Sequence, residues 1–379
     1  MDNKLKKEYK RYMIINVIIK FFIDNLEGDN KEKKEYEIMN ILERMLLSLA
    51  NNVKKGDLDE IINPIPESNQ IFKNITIELE TKHIKLRDNP VQYLIKIFNY
   101  WHDYLKEEKY KTEKLLNIII DSNIFRYGNY ERKLADYRIK IFRDKLSQNK
   151  VINANEQNKI ILIMLIRYSC ILSRGQQWNI PADNYKYLHN KYNLVLECFA
   201  SPINSQLLSI RTKPINFCSL FYDTDKLFGS IGNVFEINLF EVLEKLRING
   251  EDIMISVNPP YVYSIIDSSV ILIGKWLDEA NKKKQQLNIV FNIPEWPDAE
   301  YNKILRDNKY KVFDKILLPN KHYYENTNNP DVIDTYHHEK IIAKFKSHIY
   351  VFSINSKIYN KTNQKNKNFN DITTNYEIT

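Results

Sequence analysis

The segment Asn258-Pro259-Pro260-Tyr261 combines the residue types that a site for modifying a ring amine requires. The exocyclic amine of a planar ring is a poor nucleophile, because its lone pair is delocalised into the ring. A site can counter this by accepting both N–H hydrogens, one on the Asn258 side-chain oxygen and one on the Pro259 carbonyl. The prolines stiffen the loop, and Tyr261 offers a face for stacking a planar base. The segment therefore predicts group transfer to a ring amine, with a rigid proline turn as the alternative.

The segment lies in the second half of the chain, where short apolar runs alternate with amphipathic stretches. Such alternation is typical of βαβ units and predicts a parallel sheet covered by helices on both faces. The predicted strands are 194–200, 216–222, 252–257, 287–293, 312–318 and 349–354. The predicted helices of this half are 239–248, 264–284 and 298–308.

The predicted fold class is α/β, with a helical domain before a Rossmann-like domain. Residues 1–190 carry apolar residues at three- and four-residue spacing, which predicts helices. We expect residues 191–355 to form the Rossmann-like domain and the polar tail 356–379 to be disordered. The 379 residues are 43% hydrophobic and 27% charged, which excludes global disorder. No stretch is long and apolar enough to predict a membrane span.

The charge and the cysteines restrict the expected partners and compartment. A net charge of +8 permits a polyanionic partner without requiring one. None of the three cysteines forms a CxxC pair, so neither a zinc site nor a disulfide framework is predicted, and a reducing intracellular compartment is favoured, nuclear or cytoplasmic. His337 and His338 are adjacent in the sequence, and adjacent side chains diverge, so we expect no metal site there. The cysteines are Cys170, Cys198 and Cys218.

Polar or aromatic clusters follow four of the predicted strands, where an open parallel sheet binds its ligands. Each cluster alone could be a connecting turn, but together they predict one crevice. Asp223 and Asp225 follow the first cluster at about the 20-residue spacing of an acid that binds ribose hydroxyls. The first loop contains no glycine, which argues against a pyrophosphate ligand and is compatible with the sulfonium cofactor S-adenosylmethionine. The clusters are 201–204, 223–225, 258–261 and 294–298.

Four strings in this half occur in the order and at the spacing of a known family: ECFASPIN, FCSLFYDTDKLFGSIG, NPPY and IVFNIPEW. Together they resemble the catalytic domain of the phosphorylated-CTD-interacting-factor family of cap-specific adenosine methyltransferases, over about residues 192–355. The resemblance implies methyl transfer from S-adenosylmethionine to N6 of the 2′-O-methyladenosine next to the 7-methylguanosine cap, with capped mRNA as partner. The pattern [DNS]PP[YFW] at a strand end is also the general signature of amine methylation by S-adenosylmethionine-dependent enzymes.

Residue by residue, the resemblance implies three groups of site residues and no metal. The catalytic group is Asn258, Pro259, Pro260 and Tyr261. The cofactor group is Phe199, Ala200, Ser201, Pro202 and Asn204, joined by Asp223 and Asp225 from the second strand end. The expected substrate group is Tyr263, Pro294, Glu295 and Trp296.

The chain departs from the family pattern at several points. Tyr261 stands where the family has Phe, which keeps the stacking face, and the arginine that often follows the motif tryptophan is missing after Trp296. No WW domain is recognised in the sequence, so we expect no WW-mediated binding to phosphorylated polymerase tails.

Two other functions remain open at this stage. An adenine-N6 methyltransferase acting on DNA or internal RNA sites would share the four-residue motif, and a catalytically inactive module could bind the cap or RNA. Two basic and aromatic segments, 125–133 and 167–178, are candidates for RNA contact. Their alternatives are a solvated helix face and a helix end.

Overall fold

The computed structural model describes residues 1–28, 31–51, 69–172, 178–210, 216–245, 248, 251–326, 339–354 and 369–378. The chain divides into two compact units, Met1–Arg174 and Gly175–Thr379. The division precedes the expected boundary at 190/191, because the strand Trp178–Asn179 pairs with Tyr323–Asn326 and so belongs to the second unit. Within the described ranges, no helix is long and apolar enough to cross a membrane.

The first unit is mainly helical, as predicted. The helix that begins at Pro90 has a side-chain cap: Asn89 accepts the Val91 and Gln92 N–H groups, and Pro90 occupies the first helical position. The helices are α1 (Asp2–Asp24), α2 (Lys31–Asn51), α3 (Asn69–Thr81), α4 (Pro90–Lys106), α5 (Asp136–Gln148) and α6 (Ala154–Ser169). An antiparallel sheet between α4 and α5 contains β1 (Ile118–Asp121), β2 (Ile124–Tyr127) and β3 (Tyr130–Lys133).

The segment 125–133, a candidate for RNA contact whose alternative was a solvated helix face, is the β2–β3 hairpin and not a helix. Gly128 has a φ of +61°, which glycine adopts readily in such a turn, and a Cβ there would meet the Tyr9 hydroxyl at 2.1 Å. The tyrosines on either side of the turn, Tyr127 and Tyr130, are buried. Their rings are therefore committed to the core of the first unit.

A buried ionic cluster connects α1 to α6. Glu8 is fully buried, and Arg167 donates to its carboxylate from Nε at 2.6 Å and also from Nη2. Arg11 donates to the same carboxylate, and its guanidinium lies 5.3 Å from the Trp101 ring centroid. Burial alone would raise the pKa of Glu8, but the two arginines lower it to about 2. Arg167, in the second candidate RNA segment, therefore has a structural partner.

The second unit is the predicted Rossmann-like α/β domain. Its helices are α7 (Ala182–Tyr192), α8 (Tyr222–Asp225), α9 (Leu239–Lys245), α10 (Tyr263–Lys283) and α11 (Tyr301–Arg306). Its strands are β4 (Trp178–Asn179), β5 (Leu194–Ala200), β6 (Asn216–Ser219), β7 (Ile253–Val257), β8 (Leu287–Pro294), β9 (Lys311–Leu317), β10 (Tyr323–Asn326), β11 (Glu339–Ile342) and β12 (Ser347–Ile354). All six predicted strands are confirmed, although β6 is shorter than expected because residues 222–225 form a helical turn.

The described strands form a large sheet of order β6-β5-β7-β8-β12-β9 and a small sheet of order β11-β10-β4. In the large sheet β6, β5, β7 and β8 are parallel, and β12 is antiparallel to both of its neighbours. The chain passes from β5 to β6 on one side and returns to β7 on the other. This reversal creates a crevice beyond the carboxyl ends of β5 and β7, the usual ligand position in such sheets.

Apolar side chains cover both faces of the large sheet. One face packs against α9, α10 and α11, with Trp276 and Leu277 in its core. The other face packs against α7, β10 and residues 369–378. The tail was expected to be disordered, but Phe369, Ile372 and Tyr376 are buried in this second core. These three apolar residues are close enough in the sequence for a short turn-rich segment to bury them all. Residues 355–368 of the tail lie outside the described part of the chain.

We predict that Glu8→Gln lowers the free energy of unfolding by about 3–5 kcal/mol, because it leaves two buried guanidinium groups without their carboxylate. Chemical denaturation followed by circular dichroism measures this change. The control is Glu279→Gln, which breaks an exposed pair with Lys283 (3.3 Å) and should cost less than about 0.5 kcal/mol. Equal losses in the two variants would contradict a stabilising role for the cluster.

Candidate active site

The loop after β5 is held by its own side chains. The Ser201 N–H and Oγ donate to Asn204 Oδ1 at 2.6 and 2.9 Å, and the Asn204 N–H donates to Ser201 Oγ at 3.2 Å. Both residues are buried. Pro202 is buried too, whereas Phe199 and Ala200 are half-buried. Ser201 and Asn204 therefore shape the loop, and Phe199 and Ala200 are the side chains of this group that a ligand can reach.

A buried carboxylate fixes the direction of the chain beyond this loop. Glu197 Oε2 accepts from Ser205 Oγ at 2.9 Å and from the backbone N–H groups of Gln206 and Leu207 at 3.1 and 3.4 Å. The sequence reasoning did not assign Glu197 a role. The sequence does contain an indication of this role, because Glu197 is an acidic residue inside an otherwise apolar strand, and a buried carboxylate needs a hydrogen-bond partner.

The structure gives the two aspartates after β6 different surroundings. Asp225 is fully buried and accepts a hydrogen bond from Thr224 Oγ1 at 2.8 Å. Asp223 is only half-buried. Because β6 lies beside β5 and runs parallel to it, Asp223 lies on the same edge of the sheet as the loop after β5. Of the two, Asp223 is the less buried residue.

The motif Asn258-Pro259-Pro260-Tyr261 directly follows β7 and faces the same crevice. Asn258 is half-buried, and its Oδ1 accepts a hydrogen bond from Asn292 Nδ2 at 2.9 Å. The Val262 N–H donates to the Pro260 carbonyl at 2.7 Å. Among the hydrogen bonds of the described residues, none uses the Pro259 carbonyl. The two acceptors proposed for a ring amine are thus the Asn258 oxygen, with one lone pair engaged, and the Pro259 carbonyl.

Tyr261 has a buried hydroxyl and a half-exposed ring. The hydroxyl contacts the Tyr324 hydroxyl and lies 3.3 Å from Asn292 Nδ2. The ring makes edge contacts with Tyr324 and Phe345, at centroid distances of 6.2 and 5.8 Å. Burial raises the pKa of Tyr261 well above its ordinary value, so the phenol stays neutral. From the sequence, a role was predicted only for the ring face of Tyr261, and this anchoring of its hydroxyl was not predicted.

The Tyr261 hydroxyl begins a chain of hydrogen bonds beneath the motif. Tyr324 O–H and Ser347 Oγ are 2.6 Å apart, and Ser347 Oγ is 2.8 Å from His322 Nε2. The His322 Nδ1–H donates to the Leu318 carbonyl at 3.0 Å. Burial lowers the pKa of His322, so the ring is neutral and Nε2 accepts. The hydroxyls therefore donate in one direction, from Tyr261 to Tyr324 to Ser347 to His322.

The segment after β8 contains the expected substrate residues, and Glu295 is already engaged there. Its Oε2 lies 2.9 Å from His348 Nδ1, and His348 Nε2 lies 3.2 Å from Asp314 Oδ2. Burial alone would raise the pKa of Asp314, but His348 and Lys311 lower it. The Glu295 N–H donates to the Lys346 carbonyl at 2.9 Å, which fixes the backbone that carries this carboxylate.

The aromatic members of the substrate group differ in exposure. Trp296 is half-buried and packs against the core beside the helices. Tyr263 is 46% exposed, and its ring lies 5.6 Å from that of Tyr301. Pro294 is buried at the end of β8. Tyr263 and Trp296 thus present the accessible aromatic surface of this group.

The structure places each predicted site residue at the carboxyl end of a parallel strand or in the loop or first helical turn that follows it, Asp223 and Asp225 being in α8 and Tyr263 in α10. His337 and His338 lie outside the described residues. In the parts of the chain that the structure describes, no group of three or more His, Cys, Asp or Glu side chains is arranged to hold a metal.

A second buried carboxylate, that of Glu325, contacts the segment that follows the loop after β5. Glu325 on β10 accepts from the Ala182 N–H at 2.9 Å and from Gln206 Nε2 at 3.2 Å. Burial raises its pKa to about 7. Glu325 connects the small sheet to the first turn of α7 and to the segment that Glu197 also holds. It was not identified from the sequence, where β10 is too short and too polar to be recognised as a strand.

Comparisons with known proteins agree on one family. The family model described as "Phosphorylated CTD interacting factor 1 WW domain" matches residues 137–327, about half of the chain. Two similar proteins, from Mus musculus and Homo sapiens, are both named mRNA (2′-O-methyladenosine-N(6)-)-methyltransferase. Each is 27% identical over 152 residues, which are 40% of this chain and 19% of the relative. The matched segment thus represents about a fifth of these relatives' length.

The family match corrects two expectations. We expected the family without its WW domain and therefore no WW-mediated binding to polymerase tails. The matching model is the one described by that WW domain, so both expectations are wrong. The matched residues extend from α5 to β10, so the model covers many helices and strands. A search for a short aromatic motif misses a signal of that kind.

We predict that Glu325, which is partly neutral near pH 7, makes stability depend on pH. Its folded-state pKa of about 7 exceeds the ordinary value of 4.5, so its neutral form stabilises the fold. That contribution is fully present below about pH 4.5 and is lost as the pH rises through about 7, by at most about 3 kcal/mol. Glu325→Gln should flatten the free energy of unfolding, measured by urea denaturation, over this window. The control, Glu300→Gln at an exposed position, should keep the wild-type slope, and a wild-type slope in Glu325→Gln would contradict the assignment.

Proposed function

We propose that this chain, which belongs to the phosphorylated CTD interacting factor 1 family, is a cap-specific mRNA adenosine N6-methyltransferase. It would transfer a methyl group from S-adenosylmethionine to N6 of the 2′-O-methyladenosine next to the 7-methylguanosine cap. One observation carries the proposal: the motif Asn258–Tyr261 follows β7 at the reversal of strand order, beside the loop that follows β5. The names of the two similar proteins support the choice of substrate.

The residues around the first two strand ends fit S-adenosylmethionine. Phe199 and Ala200 offer apolar contact, and Asp223 offers a carboxylate for ribose hydroxyls. Ser201, Pro202 and Asn204 would contribute by holding the loop, and Asp225 by supporting the turn that presents Asp223. The loop has no glycine cradle for phosphates, which suits a cofactor without phosphate. When bound, the cofactor supplies an activated methyl group.

The chain's own part in the reaction is to position a neutral amine. The free lone pair of Asn258 Oδ1 and the Pro259 carbonyl would accept its two N–H hydrogens and direct the nitrogen lone pair toward the methyl carbon. Pro260 stiffens the turn. The half-exposed ring of Tyr261 would stack on the adenine, a contact worth about 1–3 kcal/mol. Because the attacking amine is neutral, no residue has to remove a proton before transfer.

The cap would be recognised on the substrate side of the crevice. The 7-methylguanine ring is a positively charged purine, which suits an aromatic face and a carboxylate. Trp296 and Tyr263 provide aromatic surface, and Glu295, held beside His348, provides the carboxylate. Pro294 ends β8 and directs these residues away from the sheet. Methylation of DNA or internal adenosines, or cap binding without catalysis, are the outcomes that the assays below would distinguish.

We predict that Asn258→Ala lowers kcat for methyl transfer by about 10²–10³, because one preorganised acceptor for the amine is lost. Mass spectrometry of cap nucleotides, after incubation with isotope-labelled S-adenosylmethionine, measures the product. Cofactor binding by calorimetry should be unchanged, which separates this loss from unfolding. Near-normal turnover would remove the motif from the active site, and a wild-type chain that binds cofactor and cap without turnover would favour the inactive module.

We further predict that removing the 7-methylguanosine cap from an otherwise identical RNA lowers kcat/KM by at least about tenfold, or roughly 1.4 kcal/mol. A base at the free end of a strand avoids most of the unstacking cost that a duplex base carries, so recognition of the cap must distinguish this end from other loose strands. The substrate panel is capped RNA, uncapped RNA and duplex DNA. Equal rates on capped and uncapped RNA would favour a general adenine methyltransferase.

A further inference from the structure

We propose that Asn292 is a positioning residue that determines which end of the Asn258 amide faces the substrate amine. This inference rests on the proposed function, because it assigns a role to Asn292 in the same methyl transfer. Asn292 lies within the string IVFNIPEW, but the sequence analysis assigned a role only to Pro294, Glu295 and Trp296 of that string. Two observations support this role: the contact between Asn292 and Asn258, and the tyrosine hydroxyls that surround Asn292.

Asn292 lies on β8 directly beside the motif. In the register of β7 and β8, Val257 pairs with Phe291, so the next residues, Asn258 and Asn292, are neighbours across the two strands. Asn292 is fully buried, and its Nδ2 lies 2.9 Å from Asn258 Oδ1. It is therefore a buried donor directed at the oxygen that is proposed to accept the substrate amine.

The contact decides the orientation of the Asn258 side chain. An asparagine amide has an oxygen that only accepts and an NH2 group that only donates. If the Asn258 amide were turned by 180°, its NH2 group would face the NH2 group of Asn292, and two donors would oppose each other in a buried place. Asn292 thus excludes the orientation in which Asn258 would present N–H hydrogens to an amine that also carries N–H hydrogens.

Three tyrosine hydroxyls surround the Asn292 amide nitrogen, which has one N–H left beside the one directed at Asn258. Its Nδ2 lies 3.3 Å from the Tyr261 hydroxyl, 3.2 Å from that of Tyr324 and 3.3 Å from that of Tyr376. The Tyr324 proton is directed to Ser347 by the hydrogen-bond chain that ends at His322, which leaves the Tyr324 oxygen as an acceptor. The oxygens of Tyr261 and Tyr324, whose protons are used along this chain, are therefore acceptors and favour the NH2 group at this point.

The test compares two substitutions of Asn292. Asn292→Asp keeps the shape but replaces the donor by an oxygen, so Asn258 should turn its NH2 group toward the new carboxylate and away from catalysis. Asn292→Ala removes the donor without imposing the wrong orientation. We expect kcat on capped RNA to fall by about 100-fold in Asn292→Asp and by about tenfold in Asn292→Ala, with KM and the cofactor Kd changed by less than about threefold.

Asn288→Ala is the matched control. Asn288 is also a fully buried asparagine on β8, four residues before Asn292, but it donates to Asp252 Oδ1 at 2.6 Å and to the Ile253 carbonyl at 3.0 Å, at the other end of β7. We expect Asn288→Ala to lower Tm about as much as Asn292→Ala and to leave kcat within about twofold. This comparison separates lost stability from lost positioning.

The outcomes are distinguishable. A kcat that falls in the order wild type, Asn292→Ala, Asn292→Asp, with the control near wild type, supports the positioning role. Wild-type kcat in Asn292→Asp overturns it, as does an equal loss of kcat in Asn288→Ala and Asn292→Ala. If Asn292→Asp does not fold, the two alanine variants alone decide. Absence of methyl transfer by a folded, cofactor-binding wild-type chain contradicts the proposed function instead.

Discussion

The reversal of strand order between β5 and β7 is the constraint on which the rest of the second unit depends. Parallel strands have their carboxyl ends at one edge of the sheet. Because of the reversal, the segments that follow β5 and β7 leave this edge in opposite directions. The loop beginning at Ser201 and the motif beginning at Asn258 therefore flank one crevice, although they are 57 residues apart in the sequence. The remaining features of the site are supports for these two loops.

The supports of the two loops differ in their chemistry. The loop after β5 is fixed by buried carboxylates, Glu197 directly and Glu325 through Gln206. The motif is fixed by neutral groups, the Asn292 amide and the hydroxyls of Tyr261 and Tyr324. A buried charge beside the proposed amine site would alter the amine's proton affinity or require a counter-ion, whereas neutral amides and phenols orient the acceptor without either effect. The burial that raises the pKa of Tyr261 keeps this environment neutral.

The first unit depends on a different kind of interaction. Its buried Glu8 forms ion pairs with both Arg11 and Arg167, and the fully buried Arg11 also lies against Trp101. Removing one member of such a cluster strongly destabilises the folded state, because it leaves a buried charge without its partner. Basic and aromatic residues that resemble an RNA-binding surface in the sequence are used here for packing. Arg167 and the tyrosines of the β2–β3 hairpin illustrate why such composition alone does not identify a nucleic-acid interface.

The sequence by itself determined the alternating pattern of the second unit, the chemistry of the motif and the family, because these are carried by local periodicity and by contiguous strings. Short or polar strands such as β4 and β10 lacked that periodicity, and the apolar residues of the last segment were too few to predict its packing. Only the tertiary structure decided the partners of the motif. Asn292 and Tyr376 are separated from each other by 84 residues, and Asn292 from Asn258 by 34. A buried asparagine in an apolar strand indicates that a partner exists, but its identity depends on strand register and on which segment covers that face of the sheet.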